Sequence, residues 1–293
     1  MKVVRAGISG FCMGVRRAVD MANREASRQA EQYGSANRRV YTLGPLIHNP
    51  AVLENFAERG IKVLKEGEIP EDPANTTVII RTHGIRPEAQ KKLSFEGVHV
   101  LDATCPHVKA NREKARLLSS RGKVIFLAGE REHAEIIGIR GYVDGPCCIV
   151  ANPDEAEEEA SKLKRTNNTA KTALIGQTTI STGEYDAIAA AITRYFPDLE
   201  IISSICGATF KRQNSLRELC RKVDAVIIAG GRDSANTRRL LAIAGECGVK
   251  AWLVENVEDI PPEIANYEIA GLSAGASTPD SVIDAIEEKL LSL

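Results

Sequence analysis

The residues best suited to chemistry in this chain are cysteines that lie far apart yet share a setting. Cys12 in SGFCMGV, Cys105 in LDATCPHV and Cys206 in SSICGAT each follow an apolar segment and precede a helix-like stretch, with about a hundred residues between one and the next. Val98, Val100 and Leu101 read as the end of a short buried strand. Pro106 then fixes φ and removes a backbone donor, so that strand cannot run on. A cysteine just past the carboxyl end of a strand lies where open α/β sheets put their ligands. Thiolates with a histidine are a donor set for zinc, but zinc sites usually show one close pair such as CxxC, and none occurs here. An iron–sulfur cluster accepts ligands from distant loops. Three cysteines leave one iron of a [4Fe–4S] cube without a protein thiolate, open to a substrate oxygen while the cluster passes electrons. The competing reading makes all 7 cysteines small buried apolar side chains. It is the reading taken for Cys147, Cys148, Cys220 and Cys247.

The chain has only 5 histidines. His48 in GPLIHNP, His83 in RTHG and His133 in GEREHAE follow strand-like segments. Each alone is as readily structural as functional, but together they are donors suited to an anion. His99 and His107 have no partner motif and are read as structural or exposed. GGRDSANT and SAGASTPD resemble helix N-termini, where backbone N–H groups and hydroxyls receive phosphate. Ser234, Asn236, Ser277 and Thr278 fit ordinary capping equally well, and Pro279 at a first helical position favours capping. Glu135, close to His133, is a candidate proton donor.

The elements that must position these residues alternate between strand and helix. Strands are expected at Lys2–Ala6, Val40–Leu43, Thr77–Ile80, Val124–Ala128, Cys148–Ala151, Ala173–Ile175, Glu200–Ile202, Ala225–Ala229, Ala251–Val254 and Ile269–Leu272. Helical patterns include the stripe Val15, Ala18, Val19 and Ala22, then 51–59, 87–93, 184–196, 212–220, a helix reaching Cys247 and a last one to Leu290. The acidic run Asp154–Glu159 reads as a solvated helix face. Such alternation implies parallel sheets covered by helices. His48, His83, Cys105, His133, Thr178, Cys206, Ser234 and Ser277 all fall just past an expected strand end. No strict repeat occurs, yet three α/β units of about a hundred residues fit the cysteine spacing.

At 293 residues the expectation is about two domains, with one or three allowed. Lys plus Arg is 38 and Asp plus Glu 39, which gives no bias toward nucleic acid or anionic membrane. No apolar run approaches the ~20 residues of a membrane span, and no signal-peptide pattern opens the chain. An odd number of cysteines spread over a full-sized protein argues against a disulfide framework. These features describe a cytoplasmic α/β protein.

GFCMGVRRAV, YTLGPLIHNP, IIRTHGI, LDATCPHVKA, GQTT, ICGAT with KRQ, GGRDSANTRRL and SAGASTPD together resemble the LytB/IspH family, the 4-hydroxy-3-methylbut-2-enyl diphosphate reductases. The resemblance runs in register from about Lys2 to the C-terminal helix. It implies three small parallel-sheet α/β units in pseudo-threefold arrangement around a central iron–sulfur cluster, divided as 13–102, 103–202, and 203–293 with the N-terminal strand 1–12. It implies that Cys12, Cys105 and Cys206 hold a [4Fe–4S] cluster with one iron not ligated by protein. His48, His83 and His133 become diphosphate ligands, joined by Thr178, Ser234, Asn236 and Ser277, and Glu135 becomes the proton donor, relayed through Thr178. The implied reaction is two-electron reductive dehydroxylation of an allylic alcohol to isopentenyl and dimethylallyl diphosphates, with ferredoxin or flavodoxin as electron donor.

The sequence departs from the family pattern at several points. Ala134 stands where proline is usual, which is expected to loosen that loop. Ala235 replaces a serine found in some members, leaving only its backbone N–H for phosphate. Gly207, Phe210 and Lys211 follow Cys206 in place of more polar residues. These bear on affinity and rate more than on reaction type. Two other classes stay open on the residues alone, a non-catalytic iron–sulfur redox sensor and a cysteine-dependent hydrolase with His133 as base.

Overall fold

Short β-branched runs and helical stripes alternate through the computed structural model, which describes residues 1–34 and 39–293. The strands are β1 (Lys2–Arg5), β2 (Val40–Leu43), β3 (Ile61–Leu64), β4 (Thr77–Ile80), β5 (His99–Asp102), β6 (Val124–Ala128), β7 (Cys147–Val150), β8 (Thr172–Gly176), β9 (Glu200–Ile201), β10 (Ala225–Ala229), β11 (Lys250–Val254) and β12 (Ile269–Ala274). The helices are α1 (Met13–Tyr33), α2 (Pro50–Glu58), α3 (Pro87–Phe95), α4 (Pro106–Ser120), α5 (Ala134–Arg140), α6 (Pro153–Thr166), α7 (Thr182–Thr193), α8 (Gly207–Cys220), α9 (Ala235–Glu246) and α10 (Asp280–Leu291). The described strands form three four-stranded sheets, ordered β1-β12-β10-β11, β3-β2-β4-β5 and β7-β6-β8-β9. By internal contacts the chain divides into two compact units, Met1–Val63 with Gly207–Leu293, and Leu64–Cys206.

In the first unit β1 pairs in parallel with β12, Lys2 opposite Ile269, and β10 runs parallel between β12 and β11. Alternate residues of β10 feed opposite faces. Ile227 packs with Leu272, Ile286 and Leu290 on one side, while Val226 and Ile228 pack with Leu216, Leu240 and Ile243 on the other. A parallel sheet buried on both faces reads as a continuous apolar run, as AVIIA does. The second unit repeats the logic. Phe126 and Leu174 join the α6 and α7 side with Ile188 and Ile192, and Ile125, Leu127 and Ile175 join the side of Leu118, Ile136 and Ile139. Each large apolar side chain so buried contributes about 1.5–3 kcal/mol. Exposed ion pairs such as Arg194–Glu157 contribute about 0–1 kcal/mol, so the two-faced cores decide stability.

The expected strands 40–43, 77–80, 124–128 and 225–229 form with those bounds. Three differences matter. β3 has no counterpart among the expected strands, because Lys62 breaks the apolar run of IKVL. α8 begins at Gly207 rather than near Arg212, directly after Cys206. Pro279 occupies the N-cap of α10 rather than its first turn, and makes no side-chain cap bond. None of the described helices is long and apolar enough to cross a membrane.

Candidate active site and cysteine loops

Glu135 is the most tightly specified of the expected site residues. It lies in the first turn of α5 and is 1% exposed. Oε1 accepts from the Thr178 backbone N–H at 2.8 Å, and Oε2 accepts from the Thr178 hydroxyl at 2.8 Å. Burial pushes its pKa up from 4.5 to about 7, and the two bonds from Thr178 oppose that rise without cancelling it. Thr178 reaches Glu135 because it lies two residues past the end of β8. The Gln177 amide braces both sides of the pair, accepting from Glu130 N at 3.1 Å and donating to the Thr179 hydroxyl at 2.8 Å. In the sequence the only signal for Gln177 is its adjacency to Thr178 in GQTT.

His133 is the N-cap of α5, and its Nδ1 accepts from Glu135 N at 3.2 Å. That bond leaves Nε2 as the ring donor when the imidazole is neutral. The rings of His83 and His133 meet edge to face with centroids 5.1 Å apart. The structure therefore brings His83, His133, Glu135 and Thr178 together within one unit, three of them joined by hydrogen bonds. Ala134 is the first residue of α5, a position that suits proline.

In the other unit Ser234 caps α9, its Oγ accepting from Thr237 N at 3.3 Å. Asn236 is buried, and its Nδ2 has no hydrogen-bond partner among the described residues. A buried orphan donor costs about 1–3 kcal/mol, a cost an acceptor such as a phosphate oxygen would relieve. Ser277 and Thr278 do not cap α10. Ser277 Oγ donates to the His48 carbonyl at 3.2 Å, and Thr278 Oγ1 donates to that of Ala229 at 3.0 Å. The His48 loop also lies so close to Gly231 that a Cβ there would collide with the His48 carbonyl oxygen. Gly230, at φ 145°, holds a backbone conformation that favours glycine. His48, Ser234 and Ser277 thus lie on strand-end loops held by direct contacts and caps.

The cysteines follow one rule of attachment. Cys12 N donates to Ala276 O at 3.1 Å, Cys105 N to Thr82 O at 2.9 Å, and Cys206 N to Thr178 O at 3.1 Å. Each acceptor lies two residues past the end of β12, β4 or β8, and is or adjoins an expected substrate-binding residue. Each cysteine immediately precedes a helix, α1, α4 or α8, and all three are half-buried and outside any disulfide. The Cys105 turn is further fixed by Asp102, which accepts from Thr104 N at 2.9 Å and pairs with Lys109 at 2.6 Å. Burial works against the Asp102 charge, but the Lys109 and Thr104 bonds outweigh it and hold the carboxyl below its ordinary range.

Iron binds the thiolate form of cysteine. Four further cysteines lie elsewhere in the chain. Burial pushes the thiols of Cys147, Cys148 and Cys220 up to about 12, 11 and 11, which disfavours the thiolate, and Cys247 lies exposed at the end of α9. No group of three or more His, Cys, Asp or Glu among the described residues could hold a single metal ion. A cubane cluster asks something different, one thiolate per iron from separate loops, and the chemistry of Cys12, Cys105 and Cys206 fits that demand.

Residues 3–291 match the family described as LytB protein. The 4-hydroxy-3-methylbut-2-enyl diphosphate reductase of Treponema denticola is 42% identical over 295 residues, which cover 99% of each chain. The protein of that name from Aquifex aeolicus is 36% identical over 292 residues, 98% of this chain and 95% of its own. Among solved structures, the E-1-hydroxy-2-methyl-but-2-enyl-4-diphosphate reductase of Plasmodium falciparum matches with a TM-score of 0.87 and 25% identity, over 98% of this chain and 87% of its own. A structure of (E)-4-hydroxy-3-methyl-but-2-enyl diphosphate reductase, described as the terminal enzyme of the non-mevalonate pathway, matches over 100% of both chains at 34% identity and a TM-score of 0.68. With motifs, three-sheet architecture and near full-length similarity in agreement, this chain belongs to the LytB family.

Proposed function

We propose that this chain is a 4-hydroxy-3-methylbut-2-enyl diphosphate reductase, converting its substrate to isopentenyl and dimethylallyl diphosphates at the end of the non-mevalonate isoprenoid pathway. The reaction replaces an allylic C–OH by C–H, consuming two electrons and two protons and releasing water. The observation that carries the reading is the buried Glu135–Thr178 pair, with a carboxyl pKa near neutrality, at about 7. A general acid of that pKa holds its proton at working pH and can still give it up. A redox sensor would have no use for it, and a cysteine hydrolase would leave two of the three cysteine loops without a role.

In this reading Cys12, Cys105 and Cys206 hold a [4Fe–4S] cluster. When bound, such a cluster supplies electrons and a Lewis-acidic iron that carries no protein thiolate. His48, His83 and His133 bind the diphosphate, with Ser234, Asn236 and Ser277 donating further hydrogen bonds. Glu135 gives a proton to the departing hydroxyl through the Thr178 hydroxyl, which already bonds Oε2. Protonation of the carbon skeleton at either of two positions accounts for two products. The same reading divides the chain into units 13–102, 103–202, and 203–293 with 1–12. It places the enzyme in the cytoplasm with ferredoxin or flavodoxin as donor.

The test is anaerobic turnover of the hydroxylated allylic diphosphate by iron-reconstituted protein with a chemical reductant, beside Cys105→Ser. Isoprenyl diphosphates from the unsubstituted protein alone are the expected outcome. A fully loaded cluster without turnover would overturn the assignment.

A further inference from the structure

Two buried polar side chains make the same connection in different parts of the chain. Arg212 lies on α8, six residues after Cys206, and is 2% exposed. One guanidinium nitrogen donates to Ala274 O at 2.8 Å and the other to Gly10 O at 2.8 Å. Asn111 lies on α4, six residues after Cys105, and is 6% exposed. Its Nδ2 donates to Gly176 O at 3.4 Å and to Ser204 O at 3.0 Å. The targets correspond. Ala274 and Gly176 are the last residues of β12 and β8, and Gly10 and Ser204 each lie two residues before a cysteine. The position six residues after Cys12 is Ala18, which has no polar group to offer.

We propose that Arg212 and Asn111 are positioning residues that set the Cys12 and Cys206 loops, respectively, against the strand ends bearing the substrate-binding residues. The helix that follows one cysteine thereby fixes the approach to the next. The proposal rests on the reading of these cysteines as cluster ligands. Its physical basis is that a buried guanidinium is tolerated only when its donors are used. Here the Arg212 donors bridge the segment entering Cys12 and the strand that leads to Ser277. Lysine, a single point donor, cannot span both carbonyls. In the other clamp Gly176 N also donates to Ser204 Oγ at 2.7 Å, so the strand end and the Cys206 loop are tied on both sides.

The clamps make opposite predictions for two cysteines, and these are measurable in the metal-free full-length chain. Iodoacetamide alkylation is followed residue by residue through peptide mass spectrometry, for Arg212→Lys and Asn111→Ala. Losing a buried hydrogen bond should raise local opening roughly fivefold to tenfold. Arg212→Lys is expected to accelerate Cys12 by that factor and leave Cys206 unchanged. Asn111→Ala is expected to accelerate Cys206 and leave Cys12 unchanged. A side chain that merely supported the fold would accelerate all three loop cysteines together, and that result, or no acceleration at all, overturns the proposal. Should Arg212→Lys not fold, the Cys206-to-Cys12 contrast in Asn111→Ala decides alone. Failure of the parent protein to take up iron would refute the cluster reading and leave the alkylation contrast intact. Normal iron uptake without the contrast would refute only the clamps.

Discussion

Replacing Glu135 by glutamine should change how stability depends on pH, and the size of the change follows from the site. The carboxyl is raised from 4.5 to about 7, chiefly by burial. The folded state therefore keeps a proton that the unfolded chain has already released. The associated stabilisation is fully present below pH 4.5 and is lost as pH rises through about 7, where the buried group must ionise. The full effect is about 3 kcal/mol, and about 2.5 kcal/mol of it falls between pH 5 and pH 8. Urea unfolding of the metal-free protein and of Glu135→Gln across that range isolates the term, since glutamine does not titrate. The stability of the parent protein relative to the variant should decline steadily toward pH 8. A difference that stayed flat, or that grew with pH, would mean that the carboxyl is ionised in the folded state at neutrality. Glu135 would then not be a proton-holding acid. In the loaded enzyme the same titration makes turnover fall above neutrality, and Glu135→Gln should abolish it while cluster content is retained.

Thr178→Val removes both the proposed proton relay and a bond that lowers the Glu135 pKa, so turnover should collapse, and the pH at which Glu135 ionises in urea unfolding of the metal-free protein should move to the alkaline side; an acid movement would contradict this. Gly231→Ala drives a methyl into the His48 carbonyl and should cost about 1–3 kcal/mol in urea unfolding, with a raised KM. An unchanged midpoint would show that the loop gives way freely. Ala134→Pro fits the first position of α5, whose preceding residue already has φ −70° and ψ 133°. It should raise stability by about 0.4–1 kcal/mol in thermal unfolding and leave turnover intact. A loss of stability would show that the backbone there is held differently.

Strand positions were legible wherever a strand is buried on both faces, because AVIIA or VIFLA then stands out as an unbroken apolar run. β3 is not legible in this way because Lys62 leaves no unbroken run. The start of α8 is hidden for a different reason. Gly207 and Ala208 present no apolar stripe, and the helix takes its origin from Cys206, whose N–H is held by Thr178. The types of the site residues could be read in the chain, but their partners could not. Ser277 reads equally as a cap or an anion ligand, and its hydroxyl goes to the His48 carbonyl, 229 positions away. Glu135 owes its raised pKa to burial and its geometry to a residue 43 positions away, neither of which a local window contains. Asn111 is one polar residue among many in α4, and only the two carbonyls it meets give it meaning.

The pairing of β1 with β12 bears on how this protein is made. Lys2–Arg5 leave the ribosome long before their partners Ile269–Leu272 are synthesised. The carbonyl of Ala276 that holds Cys12 appears later still. Such distant pairing is slow to form and leaves its strands exposed meanwhile. Of the three loop cysteines, Cys12 is therefore made first and held last, after Cys105 and Cys206 have met Thr82 and Thr178. On the proposed cluster reading, insertion belongs after Ala276 has been made and has met Cys12.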